Sequence, residues 1–215
     1  DAIFKPAGYH FYCHDAVKPG YSGTAIYSRH EPKRVTTGLG FEVADTEGRY
    51  VQLDFDDLSV ASIYLPSGTS KESRQVAKYD FMAEYERLLE SIAKQDKPFI
   101  ICGDWNIVHR EIDIKNWKAN QKNSGCLPEE RAWLDKVFVS IGLFAAFRLV
   151  NTDSGEYTWW SNRGRAWDNN VGWGLDYQVV TPSLKNAVKS AHIYKEQRFS
   201  DHAPLVMDYH FDLKS

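Results

Sequence analysis

Phe99–Asn106 reads FIICGDWN. Four apolar residues run without a break, and Gly103, Asp104 and Asn106 then end the run. A short apolar stretch bounded by turn residues is the pattern of a strand buried on both faces. Its flanks set the fold class. Before it, Thr69–Gln95 places Val76, Tyr79, Met82, Tyr85, Leu89 and Ile92 at helical spacing, and Lys97-Pro98 stops the helix. Thr69 followed by Glu72 reads as a capping box. Earlier still, Arg49–Pro66 alternates as two strands joined near Asp56-Asp57, and Gly23–Arg29 is a short strand. After it, Pro128 opens a second helix carrying Trp133, Leu134, Val137, Phe138 and Ile141, which Gly142 ends. The last third returns to strands in YTWW, LDYQVVTP, VKSAHIY and APLVMDYHF. Strands, helix, strand, helix, strands predict a layered α/β domain with antiparallel or mixed sheets.

The 215 residues suit one domain, and 43% hydrophobic content with seven Trp, twelve Tyr and eleven Phe provides a substantial core. A net charge of -3 speaks against a protein that merely coats nucleic acid. It does not exclude a nucleic-acid enzyme with an acidic centre and a basic rim. Cys13, Cys102 and Cys126 are odd in number and widely spaced, so neither a disulfide framework nor a cysteine zinc site is expected. No signal peptide or long apolar run is visible, and a cytoplasmic protein with no membrane partner is expected. Nucleophile elbows, P-loops and dinucleotide fingerprints are missing from the sequence.

Three polar clusters fall at the ends of predicted strands: Asp104 with Asn106, Asp176 in GLDYQVV, and Asp201 with His202. Each alone has an ordinary explanation, since aspartates and asparagines end strands as turn residues. Together at one rim they would suit a hard divalent cation, because carboxylate and carbonyl oxygens are the ligands of Mg²⁺ or Mn²⁺. Phosphodiester hydrolysis needs a positioned water, neutralised phosphoryl charge and help for the leaving oxygen. Tyr64 in SIYLPSG could bind a phosphate or simply pack. Trp159, Trp160 and Trp173 are candidates to stack on bases or line a sugar pocket, or are core aromatics. His109–Leu127 is a long polar segment, and its Lys115, Lys118 and Lys122 alternate with Asn116, Asn120 and Asn123. That mixture suits phosphate contacts, and equally a solvated loop. Lys195 and Arg198 add cations beside Asp201.

Read together, SGTAIYSR, SIYLPSG, ICGDWNIVHREIDIKNWKANQKNSG, PEERAWLD, YTWWSNRGRAW, NNVGWGLDYQVV and RFSDHAPLVMDY resemble the exonuclease III family of DNA-repair nucleases. That family includes the apurinic/apyrimidinic endonucleases, within the endonuclease/exonuclease/phosphatase superfamily. The resemblance implies a four-layer α/β sandwich, two packed mixed sheets flanked by helices. It implies Mg²⁺- or Mn²⁺-dependent cleavage of double-stranded DNA at abasic sites or 3′ ends, and a bacterial source. By resemblance, Asp104 orients or deprotonates the attacking water and Asn106 helps hold it. His202, oriented by Asp176, contacts the scissile phosphate, and Tyr64 binds phosphate or assists the leaving group. The metal set would be Asp201 with Asp104, Asn106 and His202. Trp159 and Trp173 would wall a pocket for a flipped abasic sugar, while Asn116, Lys118, Asn120 and Asn123 would contact DNA.

Two departures from the family pattern stand out. The family's N-terminal strand with its Asn, and the Gln-Glu pair whose Glu is the principal metal ligand, have no counterpart here. Residues 1–215 are therefore expected to be a single nuclease domain, N-terminally incomplete relative to the family. A monomer is expected, with association through an exposed sheet edge, and weak or no metal-dependent activity, if the molecule itself lacks those strands. Gly174 stands where many relatives have Arg, which removes a cation and can shift substrate preference. Some relatives of this fold lack the catalytic acids and act as regulators that bind without cleaving. The acids and His202 kept here argue against that role.

Overall fold

Alternation along each strand decides which way its side chains face, and the computed structural model, which describes residues 4–214, follows that rule closely. The elements in chain order are β1 (His10–His14), β2 (Thr24–Ser28), β3 (Arg34–Thr37), α1 (Glu42–Thr46), β4 (Tyr50–Asp54), β5 (Ser59–Tyr64), α2 (Glu72–Ala93) and β6 (Phe99–Asp104). They continue with α3 (Trp117–Asn120), α4 (Pro128–Asp135), β7 (Phe144–Ala145), α5 (Ala146–Val150), β8 (Trp159–Trp160), β9 (Gly172–Trp173), β10 (Asp176–Val180), β11 (Val188–Ile193) and β12 (Leu205–Tyr209). A π-helical segment, Lys136–Ser140, extends α4. Of the single domain expected over residues 1–215, Asp1–Ile3 and Ser215 lie outside the described residues.

Six strands form one mixed sheet in the order β3-β4-β5-β6-β10-β7. Only β5 and β6 run parallel, and α2 is the crossover between them. On β6, Phe99 and Ile101 point to one face, where they meet Phe81, Met82, Tyr85, Leu89 and Ile92 of α2 with Trp133, Leu134 and Val137. Ile100 and Cys102 point to the other face, among Val180, Leu184, Met207 and Tyr209. The FIIC run is thus apolar because both faces of its strand are covered. The second β layer consists of ribbons: β11 pairs with β12, β1 with β2, and β8 with β9.

The long helix departs from expectation at two points. It begins at Glu72, with Lys71 in the cap position and no side-chain cap. The Thr69 hydroxyl is instead 3.0 Å from that of Ser67, so no capping box forms. Val76 is 53% exposed, because it falls on the opposite side of the helix from Tyr85 and Leu89. Lys78 takes its place on the buried stripe, at the i, i+4, i+7, i+11 spacing shared with Met82, Tyr85 and Leu89. Among the described residues, no helix is long and apolar enough to cross a membrane.

Candidate active site

The register of three neighbouring strands builds the centre of the site. Tyr64 on β5 lies opposite Asp104 on β6, and Asp104 lies opposite Asp176 on β10. A phenol and two carboxylates therefore occupy one row at the end of the sheet. Gly103 lets β6 approach β5 just before that row: its φ is 144°, and a Cβ there would sit 1.8 Å from the Ile63 carbonyl oxygen.

Past Asp104 the chain turns through Asn106, which has φ 53°. The turn is held by the aspartate itself. The Asn106 backbone N–H donates to Asp104 Oδ1 at 2.8 Å, and its Nδ2 donates to Asp104 Oδ2 at 3.0 Å and to the Leu65 carbonyl at 2.8 Å. Trp105 is fully buried, and its backbone N–H donates to the Leu175 carbonyl, tying this turn to the approach of β10. Thr158 Oγ1 accepts the backbone N–H groups of Leu175 and Asp176, each at 3.0 Å.

The Asp201-His202 pair arrives along β8. Trp159 bridges to His202, and the Trp160 backbone N–H donates to the Asp201 carbonyl. His202 Nδ1 then lies 2.8 Å from Asp176 Oδ2, and Trp159 Nε1 donates to Asp201 Oδ2 at 3.0 Å. Tyr64, Asp104, Asn106, Asp201 and His202 open into one cleft of about 1010 Å³. Lys122, Asn123, Ser124 and Gly125 line one wall, and Arg163 with the Trp159 and Trp173 rings, edge to face at 6.1 Å, lines another.

Charges in this cleft act on one another. Burial, reinforced by the charge of Asp176, pushes the Asp104 carboxyl up to about 7. Burial alone would lower His202, but the hydrogen bond and charge of Asp176 outweigh it, with help from Asp104 and Asp201, and raise the ring to about 9. At neutral pH His202 is an imidazolium donating from Nδ1 to Asp176, which leaves Nε2 as a second donor. The Tyr64 phenol is raised by burial and then by Asp104, so it is a proton donor at neutral pH. The Arg49 guanidinium lies 4.7 Å from the Tyr64 ring centroid, and its Nη1 donates to the Tyr64 carbonyl.

Among the described residues no three carboxylate, thiolate or imidazole groups converge into a ready cage for a metal. The donors do fit a Mg²⁺-type ion in kind. Such an ion is commonly held by one or two carboxylates and completes its shell with water and substrate phosphate. Asp104 faces Asp176 with His202 as the cation beside them, so a divalent charge would relieve a repulsion that already raises Asp104.

The structure divides the other candidates. Trp159, Trp173 and Asn123 line the cleft. Asn116, Lys118 and Asn120 line a neighbouring groove of about 850 Å³ instead, beside Trp117 and Tyr157. Their amides also organise the loop: Asn120 Nδ2 donates to the Lys115 and Asn116 carbonyls, and Asn123 Nδ2 donates to Asn120 Oδ1. Trp160 is 1% exposed and donates to Asn170 Oδ1, so it is a core residue and not a stacking platform. At Gly174 the chain hugs Asp113, its N–H donating to the Asp113 carbonyl at 2.7 Å. Arg148 pairs with the Asp113 carboxylate at 2.8 Å, so this corner has an ion pair without an arginine at 174.

Sequence reading missed Thr158, Arg163 and the fully buried Lys78 and Glu130. A lysine on the apolar stripe of α2 was the available signal for the last two, since a charge on a buried stripe requires a partner.

An α/β sandwich whose central sheet ends in a row of phenol and carboxylates, with an imidazole bonded beside it, carries the residue types that phosphate-ester hydrolysis requires. The Endonuclease/Exonuclease/phosphatase family model matches residues 1–202. The chain is 42% identical over 205 residues to an exodeoxyribonuclease of Bacillus subtilis, covering 94% of this chain and 79% of that protein. It is 33% identical to a DNA-(apurinic or apyrimidinic site) endonuclease of Dictyostelium discoideum, covering 93% of this chain but 56% of that protein. An AP endonuclease structure from Archaeoglobus fulgidus superposes with a TM-score of 0.88 at 24% identity, over 98% of this chain and 82% of the other. The chain belongs to the endonuclease/exonuclease/phosphatase family, in its exonuclease III and AP endonuclease branch.

Proposed function

We propose that this protein is a DNA-repair nuclease that hydrolyses a phosphodiester of double-stranded DNA, at an abasic site or at a 3′ end. The observation that carries the reading is the row Tyr64, Asp104, Asp176 with His202 bonded to Asp176. Those groups match the needs of the reaction. Asp104, set in the row beside Asp176, is placed to take a proton from the attacking water, and Asn106 fixes its carboxylate through two hydrogen bonds. His202, charged at neutral pH, offers Nε2 to a phosphoryl oxygen as negative charge builds there. Tyr64 stands across the row as hydrogen-bond donor to the phosphate or the leaving oxygen.

The cofactor we assign is Mg²⁺ or Mn²⁺, held by Asp104 with Asn106 and Asp201; His202, expected from sequence as a further ligand, donates from both ring nitrogens at neutral pH and is left to the phosphate. When bound it supplies charge neutralisation for the phosphoryl oxygens. Trp159 and Trp173 are assigned to the sugar pocket, and Asn123 to the DNA backbone. Asn116, Lys118 and Asn120, in the adjacent groove, are assigned to phosphates further along the duplex. A monomer acting in the cytoplasm goes with this reading.

The test is a labelled duplex carrying one abasic site, an intact duplex with a recessed 3′ end, and an inositol phosphate, each with Mg²⁺ or Mn²⁺. Incision 5′ to the abasic site identifies an endonuclease, and a ladder from the 3′ end an exonuclease. Binding of the duplex without cleavage would support a regulator of the same fold. Release of phosphate from the inositol compound alone would point to a different phosphoesterase.

A further inference from the structure

A buried ion pair stands directly behind the cleft. Lys78 on α2 and Glu130 on α4 are each 0% exposed, with Lys78 Nζ 2.6 Å from Glu130 Oε1. The pair does more than neutralise itself. Lys78 Nζ also donates to the Asn106 carbonyl at 2.9 Å. Glu130 Oε2 accepts the backbone N–H of Gly125 at 2.6 Å and of Leu127 at 3.1 Å. Its Oε1 further accepts Gln75 Nε2 at 3.0 Å and lies 3.3 Å from Ser124 Oγ. The Gly125 carbonyl in turn accepts the N–H of Val108, two residues past Asn106. The pair therefore grips the cleft from two sides: the turn that holds Asp104, and the Ser124–Gly125 wall facing it.

Such a pair is a poor source of net stability, because desolvating two charges offsets most of their attraction, and apolar replacements are often as stable. What it supplies is geometry. Asn106 has left-handed backbone, and its carbonyl is held by an ammonium that cannot move without leaving Glu130 unpaired. We infer that Lys78 and Glu130 are positioning residues for hydrolysis, fixing Asn106, and through it the Asp104 carboxylate, against the Ser124–Gly125 wall. This rests on the nuclease reading above.

The test is the double variant Lys78→Met/Glu130→Gln. It removes both charges together and keeps an acceptor for Gly125 and Leu127, but leaves the Asn106 carbonyl without its donor. The expected result is a melting temperature within a few degrees of the parent, an unchanged KM for duplex, and a kcat lowered roughly 10²-fold, the loss that a misplacement near 1 Å produces. Asn106 amide exchange should also quicken at least about tenfold while that of Ile101 in β6 stays unchanged, as expected for a local loosening. If the double variant does not fold, Lys78→Arg decides. Its longer, forked cation keeps the charge pair but shifts the carbonyl, so kcat should fall several-fold at unchanged KM, with the larger group lowering the melting temperature at this fully buried site.

A folded variant with parental kcat and parental Asn106 exchange overturns the inference. Failure of the parent chain to cleave any DNA overturns the nuclease reading instead, and the exchange measurement still reports whether the pair holds Asn106.

Discussion

His202 and Asp176 share one hydrogen bond of 2.8 Å, and its consequence can be titrated. In metal-free protein the His202 ring should titrate near 9, against an ordinary 6.5, and Asp176→Asn should bring it down sharply; both are read from the ring resonances by NMR. The folded value lies above the unfolded one, so the contribution to stability is fully present below 6.5 and is lost as pH rises through about 9. The melting-temperature gap between the parent and Asp176→Asn should therefore be wide at pH 6 and close by pH 10. A gap that does not change with pH would contradict the assignment. Gly103 provides a second residue-scale test. Alanine there must adopt φ 144° and meet the Ile63 carbonyl, so Gly103→Ala should cost at least about 2 kcal/mol in denaturant titration. The acids and imidazole of the site were legible because Asp104, Asp176 and His202 each interrupt a pattern at a strand end. Lys78 was not, because a lone charge among Met82, Tyr85 and Leu89 reads as a break in the stripe until its partner, 52 residues away, is known.

At the scale of elements, α2 and β6 were readable because each is long enough to show its period. The helix buries Leu89 completely and leaves Val76 about half exposed. Leu89→Ala should therefore destabilise by about 2–5 kcal/mol, while Val76→Ala should stay within about 0.5 kcal/mol. Equal effects in denaturant unfolding would mean the buried face has been placed wrongly. Some of the shortest elements escaped notice, among them β3, β7 and β9. Their strand character comes from pairing with a neighbour; a sequence of four residues such as RVTT carries too little pattern to declare it. The segment 109–127 read as polar loop for a similar reason. Its order comes from Asp113 and Asn120 bonding to nearby backbone groups and from Glu130 just beyond it, which no periodicity records.

For the whole molecule, a net charge of -3 means that attraction to DNA must come from cations placed locally. Lys122 and Arg163 line the central cleft, and Lys115 and Lys118 the neighbouring groove. If the duplex crosses both, Lys118→Ala/Lys122→Ala should weaken binding at all sequences and flatten the slope of log affinity against log salt by about two, at unchanged kcat. An unchanged slope would place the duplex elsewhere. The layered α/β plan was legible from element order alone. The two-groove shape was not, because it depends on how the 109–127 segment lies beside β9, a contact made through the Ile114–Trp173 bridge.

The most direct measurement is single-turnover cleavage of an abasic duplex by Asp104→Asn. The side chain keeps its shape and loses the charge that would take a proton from water. The account predicts a rate lowered by about 10²–10⁴-fold with duplex affinity within a few-fold of the parent. Cleavage at the parental rate would contradict it.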